Sequence, residues 1–371
     1  MQREFFILLQ QYSSLVPARL LSFPQNLSFQ DLNSFLIESI LSNDHLQKYP
    51  PSPQYQKSFW KTAISRLEQR SSNDDDEIDS RILEHYLSLL PPSAPPVGST
   101  QAGLRDQICG LGLPLRNSTP SKSFITHFWV PPSQNQDTST PVDIASYQTS
   151  TLHESQMMIE SGTTGLRTWG ASFKLAELLI AHPDMMQGKT ILELGSGVGF
   201  LGIIAATLQL LSGESSSIWL TDVNGEVLSR CQYNVTLPCN LSSSHKNIHY
   251  RNLDWFDAMG DNQEGLQHFL DESNPELILG ADIIFDPALI PPLVALLSLA
   301  LRPGETQTGR IAVIAMTIRN IDTFQAFLSI AEDSRLAIEE IPLVKQNSMF
   351  METAESGGSP NRFKILKISA I

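Results

Sequence analysis

The chain is poor in cysteine, with three in 371 residues: Cys109, Cys231 and Cys239. They are too few and too scattered for a disulfide framework or a zinc cluster. That points to a reducing compartment and to ordinary packing roles for Cys231 and Cys239. Of the eight histidines only His245 and His249 stand four apart, and no closely spaced cysteine pair accompanies them to complete a metal site. Positive charge is scarce as well: 25 Lys and Arg stand against 39 Asp and Glu, for a net charge of −14. Nucleic-acid binders usually carry a basic face, so the balance argues for protein or small-molecule partners. Long apolar runs are also missing. The run from Phe5 to Leu9 is too short for a signal-peptide core or a membrane span, and no later stretch reaches the length of a spanning helix. A soluble, cytoplasmic protein is expected, with neither membrane nor nucleic acid as partner. Internal repeats are absent.

What is present suffices for two domains. Hydrophobic residues make up 41% of the chain, enough for two cores. The first ninety residues read as helices. Phe5, Phe6, Leu8 and Leu9 form one apolar group. Ser28 followed by Asp31 is a capping-box variant ahead of Leu32, Phe35, Leu36 and Ile40 at helical spacing. Phe59, Trp60, Ala63, Ile64 and Leu67 share a face, as do Ile78, Ile82, Tyr86, Leu89 and Leu90. The acid run of residues 71–77 reads as a solvated loop. The four prolines and the glycine of residues 91–100 break the helical pattern. A strand is predicted at 123–130, a loop at 131–141, a short hairpin, and then a helix from Ser172 to His182.

From residue 190 strands alternate with helices. Strands are predicted at 190–194, 217–222, 247–255, 276–282, 310–316 and 363–369. Helices are predicted at 199–211, 225–236, 288–301 and 321–333. This alternation implies an α/β fold with a mostly parallel sheet and helices on both faces. Such sheets bind ligands at the carboxyl ends of their strands. The expected division is a small all-α domain over residues 1–120, for substrate recognition or as a scaffold, followed by a catalytic domain over 121–371.

The segment TILELGSGVGFLG, residues 190–202, runs a buried strand into four glycines. Gly195, Gly197 and Gly199 permit a sharp turn and close approach of a ligand. Gly197, Gly199 and Gly202 also spell the dinucleotide fingerprint, with Asp222 twenty residues beyond as a ribose-binding acid. Charge separates the two cofactor classes. Glu193, two residues before Gly195, would repel a pyrophosphate at the helix N-terminus. It suits S-adenosylmethionine, which has no phosphate and carries a sulfonium and an ammonium group. Asp222 can accept from both ribose hydroxyls of either cofactor. Asp254 can accept from an adenine amine and Trp255 can stack on the ring, a contact worth about 1–3 kcal/mol per base. A turn acid and a core tryptophan are the plainer alternatives for these two. Asp282 either contacts substrate or caps the helix near Pro287, a place Asp286 fills better. Arg319 and Asn320 either meet the substrate or end the strand and cap the next helix.

The motifs GTTGLRTWGAS (162–172), LELGSGVG (192–199), TD (221–222), LDW (253–255) and GADIIFD (280–286), in that order, resemble the seven-strand, Rossmann-like S-adenosylmethionine-dependent methyltransferases of lysine-targeting family 16. Within it the chain is most similar to the elongation factor 2 lysine methyltransferases, whose subgroup MTIRN (316–320) and the helical N-terminal region also resemble. The resemblance implies that Trp169 lines the donor site, that Gly195, Ser196 and Gly197 supply backbone contacts, that Asp222 binds the ribose and that Trp255 flanks the adenine. Ala281 would close the pocket. Asp282 would hold the substrate ammonium, and Phe285 would wall the lysine channel where the family usually has tyrosine. It further implies a monomer acting on elongation factor 2. Two rivals stand beside it: a dinucleotide-dependent small-molecule oxidoreductase, and a non-catalytic binding module.

Overall fold

A computed structural model describes residues 1–71, 76–91, 122–132, 141–302, 309–343, 348–351 and 362–371. Most of the acid run, the proline-rich break, most of the 131–141 loop, Cys109 and the expected border after residue 120 lie outside the described residues.

Among the described residues, five α-helices come first: α1 (Arg3–Ser13), α2 (Phe29–Phe35), α3 (Asp44–Lys48), α4 (Pro53–Glu68) and α5 (Ser80–Ser88). Ser28 and Asp31 form the expected capping box at the start of α2, each accepting the other's backbone N–H. The helical periodicity becomes a shared core in which Phe5, Leu32, Phe59, Trp60 and Ile82 are almost completely buried. Strand β1 (Lys122–Trp129) then pairs antiparallel with β2 (Gln148–Ser155). Alternation along this pair gives it two apolar faces. Phe6 of α1 packs on Phe128 and Tyr147 from one side. Trp129 and Leu152 join the core of the large sheet from the other. The strand pair is thus the seam between the helical layer and the rest of the molecule.

The second part is an α/β layer structure. Its strands are β3 (Ile191–Leu194), β4 (Ile218–Asp222), β5 (Ile248–Asn252), β6 (Leu277–Ala281), β7 (Ile311–Thr317), β8 (Leu336–Ile341) and β9 (Phe363–Ala370). They form one sheet in the order β5-β4-β3-β6-β7-β9-β8. The first five are parallel, and β9 runs antiparallel to both β7 and β8. Successive side chains alternate between the faces. Ile191, Leu277, Leu279 and Val313 pack against α6 (Gly170–Ala181) and α7 (Phe200–Ser212). Leu192, Leu194, Ile278 and Ile314 pack against α9 (Gln263–Ser273), α10 (Ile290–Ala300) and α11 (Ile321–Asp333). Helix α8 (Gly225–Val235) sends Cys231 and Val235 into the first of these cores.

Three elements differ from the sequence expectation. Strand β8 was not predicted, because LAIEEI has two glutamates and sits half-exposed at the sheet edge. Helix α9 was also not predicted. The third strand of the unit stops at Asn252 rather than at 255, because Asp254 accepts the Phe256 N–H and starts a 3-10 turn, Trp255–Ala258. Among the described residues, no helix is long and apolar enough to cross a membrane.

Candidate active site

The chain order reverses around β3, which lies between β4 and β6. Helices α7 and α10 therefore leave on opposite faces, and a crevice opens at the carboxyl ends of the strands. A cavity of about 460 Å³ occupies it. That size is typical of a small-molecule site. Its lining comes from the segment before α6 and from the ends of β3, β4, β5, β6 and β7. The donor-site and channel candidates Trp169, Glu193, Gly195, Ser196, Gly197, Asp222, Trp255, Ala281, Asp282 and Phe285 all line it, as do Asp254 and Arg319, whereas Asn320 does not.

The glycine turn has its shape for steric reasons. Gly195 has φ of 65°, and a Cβ there would lie 2.9 Å from Ile283 Cγ2. Gly197 has φ of 53°, and a Cβ there would lie 3.2 Å from the Gly165 carbonyl oxygen. Both need the left-handed region without a side chain. Gly202 has another reason to be glycine. It lies inside α7, where a Cβ would press on Leu220 at 2.8 Å, so it serves helix–strand packing. Ser196 ties the turn to β4: its backbone N–H donates to Thr221 O at 2.8 Å, and its hydroxyl accepts from Thr221 N at 3.0 Å.

Two carboxylates face this turn. Asp222 accepts the Gly197 N–H at 3.3 Å and the Asn224 N–H at 3.0 Å. Burial pushes its pKa up, against the pull of these backbone donors. Glu193 is only 3% exposed. Its Oε2 is buried without a hydrogen-bond partner. Burial raises its carboxyl to about 8, with the Ser196 hydroxyl opposing and Asp222 adding to the rise. The Glu193 side chain belongs to the cavity lining, so a ligand donor could satisfy this oxygen.

Trp255 approaches the turn from the β5 side, its Cζ2 lying 3.8 Å from the position of a Cβ on Gly195. Asp254 caps the 3-10 turn with one oxygen at 3.0 Å from Phe256 N, as the turn-acid alternative required, and it also lines the cavity. Trp169 lines the cavity as well. Its indole N–H donates to Thr164 O at 3.0 Å, which fixes the ring. The guanidinium carbons of Arg167 and Arg319 lie 5.1 and 5.2 Å from the ring.

Asp282 does not cap a helix. Asp286 does so, accepting the Ala288 N–H at 2.9 Å. Asp282 has φ of 53°, unusual for a residue with a side chain. Its carboxylate accepts the Thr317 N–H at 2.8 Å, the Thr317 hydroxyl at 3.1 Å, and Arg319 at 3.4 and 3.2 Å. The oxygens expected to meet an ammonium are therefore occupied by groups at the end of β7. Phe285 stands half-exposed at the rim. Of the MTIRN pair, Asn320 caps α11 by accepting from Asp322 N, whereas Arg319 turns into the cavity. Arg167 and Met158 line the cavity too and were not singled out from sequence. The position of Arg167 two residues before Trp169 was the available signal.

Residues 148–332 match the family model described as lysine methyltransferase. The chain is 34% identical over 182 residues to the protein-lysine N-methyltransferase EFM3 of Chaetomium thermophilum, covering 48% of this chain and 50% of that one. It is 31% identical over 182 residues to the protein-lysine N-methyltransferase EEF2KMT of Homo sapiens, covering 48% and 52%. The chain thus spans about half the length of the curated relatives it matches.

Proposed function

We propose that this chain, whose residues 148–332 belong to the lysine methyltransferase family, transfers methyl groups from S-adenosylmethionine to a lysine of elongation factor 2. The observation that carries the reading is the pair of carboxylates around the glycine turn. Asp222 sits at a strand end, where ribose hydroxyls can donate to it. Glu193 offers a buried, unpartnered oxygen where an ammonium can pair. A pyrophosphate would bring these acids no cation to pair with, which disfavours a dinucleotide.

The donor residues fit the cofactor as a set. Glu193, with the backbone of Gly195, Ser196 and Gly197, would hold the methionine end. Asp222 would take the ribose. Trp255 and Asp254 would take the adenine, and Trp169 and Ala281 would close the cavity above it. When bound, the donor supplies a methyl group on sulfonium: the amine lone pair forms the C–N bond, the C–S pair stays on sulfur, and the amine proton goes to water. The protein's task is alignment and water exclusion, effects worth up to ~7–11 kcal/mol in favourable cases. Phe285 and Met158, exposed at the rim, would form apolar contacts with the entering lysine stem.

The specific substrate rests on the likeness to EEF2KMT. It also rests on the helical layer, which packs on the β1–β2 pair. The chain that continues from β2 through Met158 and Gly165 lines the cavity. In this reading residues 1–120 recognise the large substrate and 121–371 carry the chemistry. The test uses purified protein, labelled S-adenosylmethionine and extract from cells lacking the gene. Label in a lysine of elongation factor 2, found by mass spectrometry, supports the proposal. Label only elsewhere would overturn the substrate, and no binding of S-adenosylhomocysteine in calorimetry would overturn the whole reading.

A further inference from the structure

The acceptor lysine has to reach the cavity as a neutral amine, yet free lysine is protonated at neutral pH, its pKa being near ~10.4. An unpaired carboxylate beside the entering nitrogen would work against this by stabilising the ammonium. The carboxylate that could do so, Asp282, already has a cation. Arg319 contacts both its oxygens, at 3.4 and 3.2 Å. The Asp282 side chain is buried and that of Arg319 is nearly half exposed. Arg319 also lies over the Trp169 ring, 5.2 Å from its centroid. A carboxylate beside an aromatic face is a receptor for a cation, and here the chain's own arginine fills it.

We infer that Arg319 is a positioning residue for the transfer: by occupying the Asp282 carboxylate and the Trp169 face it denies both to the substrate ammonium, so that the lysine enters uncharged. The inference rests on the methyltransferase reading above and adds a residue to it. Asp282 then acts through Arg319 and through Thr317, not as an ammonium clamp. Its left-handed backbone is consistent with this. The residue is held in a sparsely populated conformation by Ala315 O, which accepts its N–H at 2.9 Å, and by Thr317. The other titratable groups lining the cavity are Arg167 on the segment before α6, Glu193 in β3, Asp222 at the end of β4 and Asp254 after β5. Arg167 lies beside the same indole, 5.1 Å from its centroid. The three acids lie along the wall that the methyl donor would cover.

The experiment has two arms, both on the full chain loaded with S-adenosylhomocysteine or its methyl-donor counterpart. In the first, n-butylammonium, a probe for the lysine side chain, is titrated into the S-adenosylhomocysteine complex at neutral pH. Arg319→Met should bind it about tenfold more tightly than the parent protein, because the carboxylate and the indole are freed. Arg319→Lys, which keeps the cation, should remain close to the parent. In the second arm, kcat/KM for a lysine peptide is followed against pH. Arg319→Met should move the acidic limb about one unit towards higher pH, and Asp282→Asn should move it the opposite way. Equal n-butylammonium affinity in the parent protein and Arg319→Met would overturn the inference. So would a variant that is faster at every pH with the limb unmoved, which would make Arg319 a mere steric block. The binding arm needs no turnover, so it fails separately from the methyltransferase reading. Arg319 is half exposed, and a melting temperature kept near the parent value confirms that its variants fold.

Discussion

The carboxylate of Asp222, at the end of β4, accepts the backbone N–H of Gly197, in the turn that leaves β3, at 3.3 Å. This one contact joins the two neighbouring strand ends between which the cofactor would lie. It turns one oxygen towards the glycine turn, while the Asn224 N–H engages the other. Replacing Asp222 by Ala removes the acceptor proposed for the ribose hydroxyls and the hydrogen bond to the turn. Hydrogen bonds to charged groups contribute about 1.5–3 kcal/mol each, so affinity for S-adenosylhomocysteine should fall by at least about tenfold. Calorimetry measures it, and unchanged affinity would remove Asp222 from the site.

A Gly197→Ala substitution places a methyl group where φ is 53° and the Gly165 carbonyl oxygen is 3.2 Å away. The left-handed conformation costs an alanine about 1–2 kcal/mol, before any steric shift. Both the melting temperature and S-adenosylhomocysteine affinity should drop. A Gly225→Ala control, at a helix start with nothing within 4 Å of its Cβ, should leave both nearly unchanged.

Glu193 predicts a pH dependence with a definite sign. Its carboxyl is raised from 4.5 to about 8 in the folded protein, first of all by burial. The folded state therefore holds a proton that the unfolded chain gives up. The resulting stability is complete below about pH 4.5 and is lost as pH rises towards and through 8. Melting temperature followed across this window should fall more steeply for the parent protein than for Glu193→Gln. If the ligand ammonium pairs with Oε2, binding of S-adenosylhomocysteine near pH 7 should also release a proton. Calorimetry in buffers of different ionisation enthalpy would detect it, and Glu193→Gln should abolish the release.

Phe285, half-exposed on the cavity rim, divides the two halves of the site. Truncation to Ala should leave S-adenosylhomocysteine affinity nearly intact. It should lower kcat/KM for the protein substrate about tenfold, the magnitude expected when an apolar wall worth ~1.5–3 kcal/mol is lost. Steady-state kinetics beside calorimetry separates the two effects. A larger loss of cofactor affinity than of substrate efficiency would place Phe285 with the cofactor instead.

Legibility followed burial. The strands at 190–194, 217–222, 276–282 and 310–316 were readable because they are apolar runs at the centre of a sheet covered on both faces. Strand β8 was not, because at the edge only Leu336 is buried and the glutamates stand in solvent. The glycine turn, Asp222 and Trp255 were readable because each falls at the end of a predicted strand, and a parallel sheet aligns those ends. The sequence allows Arg319 two roles, since a residue following a strand can point into a crevice or away from it. The occupied state of Asp282 could not be read at all. Its partners Thr317 and Arg319 are thirty-five and thirty-seven residues away, across the β6–β7 pair.

The local chemistry of the chain was thus determined by its order of residues: apolar periods choose helix or strand, glycines choose the turn, and acids near strand ends supply the acceptors that a nucleoside cofactor would need. Which charges neutralise one another was decided only by the tertiary structure. Glu193 lost water and kept one oxygen, Oε2, without a partner, whereas Asp282 lost water and found Thr317 and Arg319. Burial and pairing depend on which strands become neighbours, and that is a property of the folded sheet rather than of any segment within it.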